Sequence, residues 1–308
     1  VFCGFRGGGG AIVRTDAVAI PASRARMLDF VALAKPRLNM LVVASTLVGY
    51  GMADGEPLGA LRILGLLLGT GLVAGGASAF NQVLERDLDA LMRRTRTRPL
   101  PDQRLQPIEA VLFASAITIA GALMIAASSN VLAAAVALTT LTTYVAIYTP
   151  LKRRSSFGTV IGAIPGALPP IIGWAAASGE LPAKAWVLFG IMFLWQLPHF
   201  LSIAWMYRDD YARAGFQMLP VIEPDGRSTG RQAVVYAAAL VPVSLAPTLL
   251  HMTADAYFAG ALVLGLAFLA LTLRFARTRS IRDARRVFFG SITYLPLLWI
   301  LMIADRLT

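Results

Sequence analysis

Asn81-Gln-Val-Leu-Glu85-Arg86-Asp87-Leu-Asp89 closes one of the most apolar segments of the chain, and Met92-Arg93-Arg94-Thr95-Arg96-Thr97-Arg98-Pro99-Leu100-Pro101 follows it. If residues 71–89 form one helix, each residue turns it by about 100°, so Asn81, Glu85 and Asp89 fall within about 80° of one another. They make a polar stripe on one wall, from which Arg86 and Asp87 point away. Polar groups inside an apolar helical pattern are costly at membrane depth and tend to mark function. The arginines beyond Met92 have a plainer explanation as a solvated loop.

Composition sets the frame. Of 308 residues, 57% are hydrophobic and 15% charged, with a mean hydropathy of +0.66. This is too apolar for an ordinary soluble domain and implies an all-α, polytopic membrane protein. Apolar runs at about 41–53, 60–84, 106–128, 131–149, 158–178, 185–206, 232–251, 256–273 and 287–304 give about nine transmembrane helices. With an inside amino terminus, only Arg62, Lys184 and Arg306 of the 28 basic residues fall outside, which leaves 25 on one face. That segregation supports a cytoplasmic amino terminus and an outside carboxyl terminus. It also accounts for the net charge of +11 without nucleic acid. A lone Cys3 excludes an intramolecular disulfide. Residues 1–23 are expected as a flexible tail and 24–308 as a single domain, with 24–37 an amphipathic interfacial helix that Pro36 breaks.

Further along, the arginines of residues 86–104 suit phosphate oxygens or anionic lipid, and the loop alone does not decide. Tyr144, Tyr148 and Lys152 recur every four residues, as a site wall or as interfacial anchors. Three prolines, Pro165, Pro169 and Pro170, predict a broken span whose freed backbone groups need neighbouring protein. In the sixth span Trp195, His199 and Pro198 precede Arg208-Asp209-Asp210-Tyr211. If the helix continues, Asp210 lies about 20° from His199 and roughly 16 Å nearer the cytoplasm. His199 suits either an interhelical hydrogen bond or a cavity wall. Residues 213–221 are apolar enough to pack down as a lid, and spans seven to nine carry little chemistry.

Two acidic clusters thus approach one membrane face beside arginines and a lysine, above greasy spans. Carboxylates with a diphosphate make a hard oxygen site suited to Mg2+, and the spans suit a lipid tail. The ligand expected is an amphiphile with an anionic head.

Several motifs are similar to those of the UbiA superfamily of intramembrane prenyltransferases, and in particular to its haem-farnesylating branch. They are Asn81-xxx-Glu85-Arg86-Asp87-x-Asp89-xx-Met92-xx-Thr95-Arg96-x-Arg98-Pro99-Leu100-Pro101, Tyr148-xxx-Lys152-Arg153, Ile164-Pro165-Gly166-Ala167-x-Pro169-Pro170, and Trp195-Gln196-x-Pro198-His199-Phe200 through Asp210-Tyr211. The resemblance runs from about residue 25 to near the end. It implies a helical bundle around a central cavity with cytoplasmic capping loops, in a bacterial inner membrane. It further implies that Asn81, Glu85, Asp89 and Asp210, helped by Asp209, hold Mg2+ and diphosphate. Arg93, Arg98, Lys152 and Arg153 would bind substrate, Tyr148 would lie near the allylic carbon, and Trp195 and His199 would contact haem. Ala214 stands where the second acidic motif usually has another aspartate, which weakens Asp210. The implied reaction adds the chain of farnesyl diphosphate to a vinyl group of haem b, with water, to give haem O. The surroundings would be membrane lipid and the partners proteins such as haem A synthase or terminal oxidase assembly factors.

Three alternatives stay open on the residues alone. The acceptor is a quinone precursor such as 4-hydroxybenzoate, the chain is a cation- or proton-coupled transporter, or it is a structural assembly factor. One-sided charge favours a pocket over a transport path.

Overall fold

The computed structural model describes residues 22–55 and 57–306. Cys3 and residues 1–21 of the expected tail lie outside them, whereas residues 22 and 23 already belong to the first helix. α1 (Ala22–Ala34) meets α2 (Pro36–Met52) at Lys35 with a bend of 42°. Then come α3 (Ala60–Asp89), α4 (Pro107–Ser128) and α5 (Val131–Thr142), the last running through a π-helical turn (Thr143–Tyr148) into α6 (Thr149–Leu151). α7 (Gly158–Ala167) and α8 (Pro169–Ser178) are halves of one broken span. α9 (Ala183–Met206) leads through the short α10 (Arg208–Arg213) and α11 (Leu219–Ile222) to α12 (Arg227–Leu249), α13 (Asp255–Thr278) and α14 (Ile281–Ala304). Among the described residues, eight helices are long and apolar enough to cross a membrane, and the bent α1–α2 pair makes a ninth.

The first span starts earlier than its hydropathy suggests. Pro36 at the opening of α2 starts that helix, where its fixed φ suits the first turn and its missing N–H is no loss. α1 is pinned to the bundle: Leu33 is fully buried with Ala79, Ala110 and Ala114, and Asp29 pairs with Arg104.

Small residues set the helix spacing. A Cβ on Gly69 would stand 2.8 Å from Gly121 O, and one on Gly121 2.6 Å from Gly69 O, so the α3 and α4 backbones touch there. Without water to drive apolar surfaces together, such close contact is how membrane helices gain packing energy. In the second half the core is aromatic, with Trp174, Trp195, Trp205, Phe268, Phe275 and Tyr294 buried in one cluster. The three prolines break the span at Leu168, and Gln196 Nε2 of α9 donates to Ala163 O at 2.8 Å, which ties α7 to α9.

Candidate active site

The stripe on α3 forms as its spacing predicts. Asn81, Glu85 and Asp89 are all but buried on one face of the last two turns. Asn81 Nδ2 donates to Thr149 Oγ1 at 3.1 Å, and that hydroxyl donates to Tyr144 O at 2.9 Å. This chain fixes α3 against the π-helical turn. The turn has a local cause: Pro150 lacks an N–H for Ala146 O, and widening to i→i+5 pairing relieves the clash of an α register. Tyr144, Tyr148 and Lys152 all reach the same cavity as the stripe. The two phenol rings lie 5.5 Å apart. Gly162 of α7 leaves room for them, since a Cβ there would come within 2.5 Å of the Tyr148 ring.

A cavity of about 150 Å³ results, closed by Met92, Thr95, Phe216 and Met218. The 213–221 segment packs down as its apolar composition predicts, with Phe216 and Met218 buried against Met92. Phe216 also lies 5.1 Å from Lys152 Nζ, and Gln217 N donates to Lys152 O at 3.3 Å.

Two ion pairs cross this cavity. Lys152 Nζ is 2.5 Å from Glu85 Oε1 and Arg98 Nη1 is 2.7 Å from Asp89 Oδ2. Thr95 Oγ1 donates to Asp89 O at 2.8 Å and holds the arginine loop to the end of α3. Lys35 lines the wall as well, delivered by a left-handed backbone (φ 47°, ψ 56°) that places the α1–α2 junction at the cavity. Lysine rarely adopts that conformation, and such strain clusters at functional sites. Lys35, Arg94, Arg98 and Lys152 face Glu85 and Asp89, four basic side chains to two acidic ones. That excess suits a polyanion.

The oxygens also suit a hard divalent cation. Glu85 Oε1 is buried and receives no well-aligned hydrogen bond despite the nearby ammonium. Among the described residues no three acidic, histidine or cysteine side chains converge on a metal-sized site. Two carboxylates and an amide oxygen therefore leave most of the coordination shell to water and ligand oxygens, the habit of Mg2+ bound to a phosphate.

A larger cavity of about 690 Å³ opens beside the first, between α2, α9 and α14. Trp195, His199 and Phe288 form its inner wall, and Arg37, Arg94 and Arg285 give it a basic end. Leu38, Ile281, Phe289 and Ile292 form its outer rim and are exposed on the flank of the bundle. Arg94 lines both cavities, its guanidinium 5.1 Å from the Tyr207 ring and 5.9 Å from that of Tyr211.

Not every expected residue arrives. The helix stops at Met206, with Tyr207 at φ −113° and ψ 21°, so the extrapolation of Asp210 along the His199 face does not hold. Tyr211 reaches the polar cavity instead, while the Asp210 carboxylate pairs with Arg213 and Asp209 is exposed. Arg93 and Arg153 are exposed and line neither cavity. Sequence reasoning missed Lys35, Arg37, Arg285 and Ser291. Lys35-Pro36-Arg37 carried a signal, a basic pair around a proline at a helix junction, but α14 offered none.

Residues 42–295 match the model of the UbiA prenyltransferase family. The chain is 49% identical over 289 residues to a protoheme IX farnesyltransferase of Solibacter usitatus (strain Ellin6076), covering 91% of this chain and 99% of that protein. Its fold resembles that of a digeranylgeranylglyceryl phosphate synthase (TM-score 0.76, 15% identity, 91% and 98% of the two chains). It also resembles a UbiA homologue from Archaeoglobus fulgidus bound to GPP and Mg2+ (TM-score 0.63, 16% identity, 89% and 99%).

Proposed function

Because the chain belongs to the UbiA prenyltransferase family, we propose that it transfers the farnesyl group of farnesyl diphosphate to a vinyl group of haem b with addition of water, giving haem O and diphosphate. The observation that carries this is the pair of adjoining cavities: a small polar one with phosphate-binding cations, and a large apolar one with an arginine-rich end, meeting at Arg94. The extent of the likeness to the farnesyltransferase from Solibacter supports haem as the acceptor. A flat apolar macrocycle with two propionates fits a wall of Trp195, His199 and Phe288 that ends in Arg37, Arg94 and Arg285.

In the reaction the allylic C–O bond breaks, a C–C bond forms to the vinyl carbon, and water adds its hydroxyl next to the ring as a proton leaves. Asn81, Glu85 and Asp89 would hold Mg2+, an ion that the archaeal homologue of the same fold binds together with GPP. The ion supplies Lewis-acid stabilisation of the departing diphosphate. Lys35, Lys152, Arg94 and Arg98 hold the phosphate oxygens and neutralise charge that grows as the bond breaks, an electrostatic role that costs no reorganisation when the groups are already in place. The face of Tyr148, 5.3 Å from Lys152 Nζ, would offer an aromatic surface to a positive allylic centre. Phe216, Met92 and Met218 keep bulk water out. A separate apolar pocket of about 30 Å³ among Val73, Ala74, Ala77, Thr140 and Leu141 lies along α3 and α5 about one turn from Asn81 and Tyr144, the direction in which the tail would run. The acidic and arginine-rich end would face the cytoplasm of the bacterial inner membrane.

The test is incubation of the purified chain with haem b, farnesyl diphosphate and Mg2+, with product masses recorded. A haem enlarged by one farnesyl group and one hydroxyl is expected. Turnover of 4-hydroxybenzoate without any haem product would overturn the assignment.

A further inference from the structure

His199 sits in α9 with its ring nearly parallel to two neighbours, Trp195 (centroids 5.5 Å apart, 19°) and Phe288 of α14 (5.1 Å, 24°). Its Nδ1 lies 2.7 Å from Ser291 Oγ. The single proton of that hydroxyl is already given to Phe288 O at 2.6 Å, so the oxygen is left to accept. Nδ1 therefore carries the ring hydrogen, and Nε2 carries the lone pair. Ser291 is itself fully buried and fixed a second time, because Trp195 Nε1 donates to its carbonyl at 2.8 Å. Nε2 has no protein partner among the described residues and is not sealed in the core; it belongs to a side chain on the wall of the large cavity. A plain interhelical stitch accounts for Nδ1 and leaves Nε2 unused.

We infer that His199 Nε2 is an axial ligand to the iron of the acceptor, an inference that rests on the haem-acceptor assignment above. A neutral imidazole whose far nitrogen donates a hydrogen bond is the usual form of a metal-ligating histidine, since that bond fixes both tautomer and ring orientation. Here the two flanking rings and Ser291 fix the orientation before any ligand arrives. One iron–nitrogen bond anchors the centre of a macrocycle but leaves it free to spin about that bond. Arg37, Arg94 and Arg285, grouped at one end of the cavity, stop the spin by holding the propionates. Centre and azimuth together select which edge of the ring faces the diphosphate cavity across Arg94.

The experiment titrates the full chain in detergent with ferric haem b, with its absorption and, after reduction, the iron–histidine stretching frequency recorded. Metal-free protoporphyrin IX is titrated in parallel, and farnesyl diphosphate with Mg2+ reports that each variant is folded. Wild type is expected to give a histidine-ligated spectrum. His199→Ala should lose that spectrum, recover it on addition of free imidazole, and bind haem about tenfold or more weakly. Its loss of affinity for metal-free protoporphyrin, which has no iron to ligate, should be several-fold smaller than its loss for haem. Ser291→Ala keeps the ligand and should lower the stretching frequency, a readout that a purely structural serine would not move. Identical iron spectra for wild type and His199→Ala, both binding haem, would overturn ligation and leave the acceptor assignment standing. Wild type that binds farnesyl diphosphate but neither porphyrin would overturn the acceptor assignment, and this inference with it.

Discussion

Lys152 Nζ stands 2.5 Å from Glu85 Oε1, and both side chains are largely withdrawn from solvent. Arg98 and Asp89 repeat the arrangement four residues along α3. Two of the groups proposed to hold a phosphate, Lys152 and Arg98, are thus each paired with a carboxylate proposed to hold a cation. A buried charge stripped of its partner costs several kcal/mol, so neither ligand enters cheaply alone. Arriving together, they exchange partners, so that Glu85 and Asp89 meet the cation while Lys152 and Arg98 meet the phosphate.

The first expected outcome is strong coupling between the two ligands. Calorimetry should show Mg2+ affinity rising about 5- to 150-fold in the presence of a farnesyl thiodiphosphate, with the reciprocal effect of the same size. Lys152→Met should shrink that factor, because Glu85 is then free to meet the cation unaided. Affinities that do not depend on each other would remove the exchange.

Arg98→Lys keeps the charge and loses the planar fork that spans Asp89 and a phosphate. A fall in kcat/KM of about 10- to 100-fold is expected, about 1.4–2.7 kcal/mol. An unchanged value would mean that Arg98 acts only as a diffuse charge.

The position of Asp210 gives a sharp contrast. With its carboxylate held by Arg213 and outside the lining of the polar cavity, Asp210→Asn should leave the Mg2+ concentration at half-maximal rate within about twofold of wild type. Asp89→Asn should raise it by more than about tenfold, since a cation ligand is lost. The reverse order would restore the second acidic motif as a metal site.

Removing the cap changes the product. Phe216→Ala deletes a buried ring that seals the cavity and should let water compete for the allylic carbon. Farnesol formed per haem product should rise several-fold in product analysis, while Phe216→Leu, which refills most of the volume, should stay near wild type.

The chemistry of α3 was legible in the sequence because it is local. Three polar residues at helical spacing inside an apolar run stay on one face whatever packs against them, and span lengths follow from hydropathy in the same way. Tyr148, Lys152 and the 213–221 cap were legible for the same reason. Asp210 was misplaced because the stop at Tyr207 leaves no strong mark: no proline or glycine interrupts Trp205 to Asp210. Lys35 was hidden by its own proline, which reads as a helix breaker when its effect is to turn a lysine inward. Ser291, Phe288 and Arg285 lie on a helix of ordinary membrane composition, and only the packing of α14 against α9 gives them a role.

The exposed rim of Leu38, Ile281, Phe289 and Ile292 gives the large cavity a doorway in the flank of the bundle. For the proposed reaction, traffic through that doorway never touches the aqueous phase. A product one isoprenoid chain greasier than its precursor would leave by sliding sideways into the bilayer, and its next encounter becomes a search in two dimensions. Whatever consumes it must therefore present its own entrance at the same depth in the same sheet of lipid.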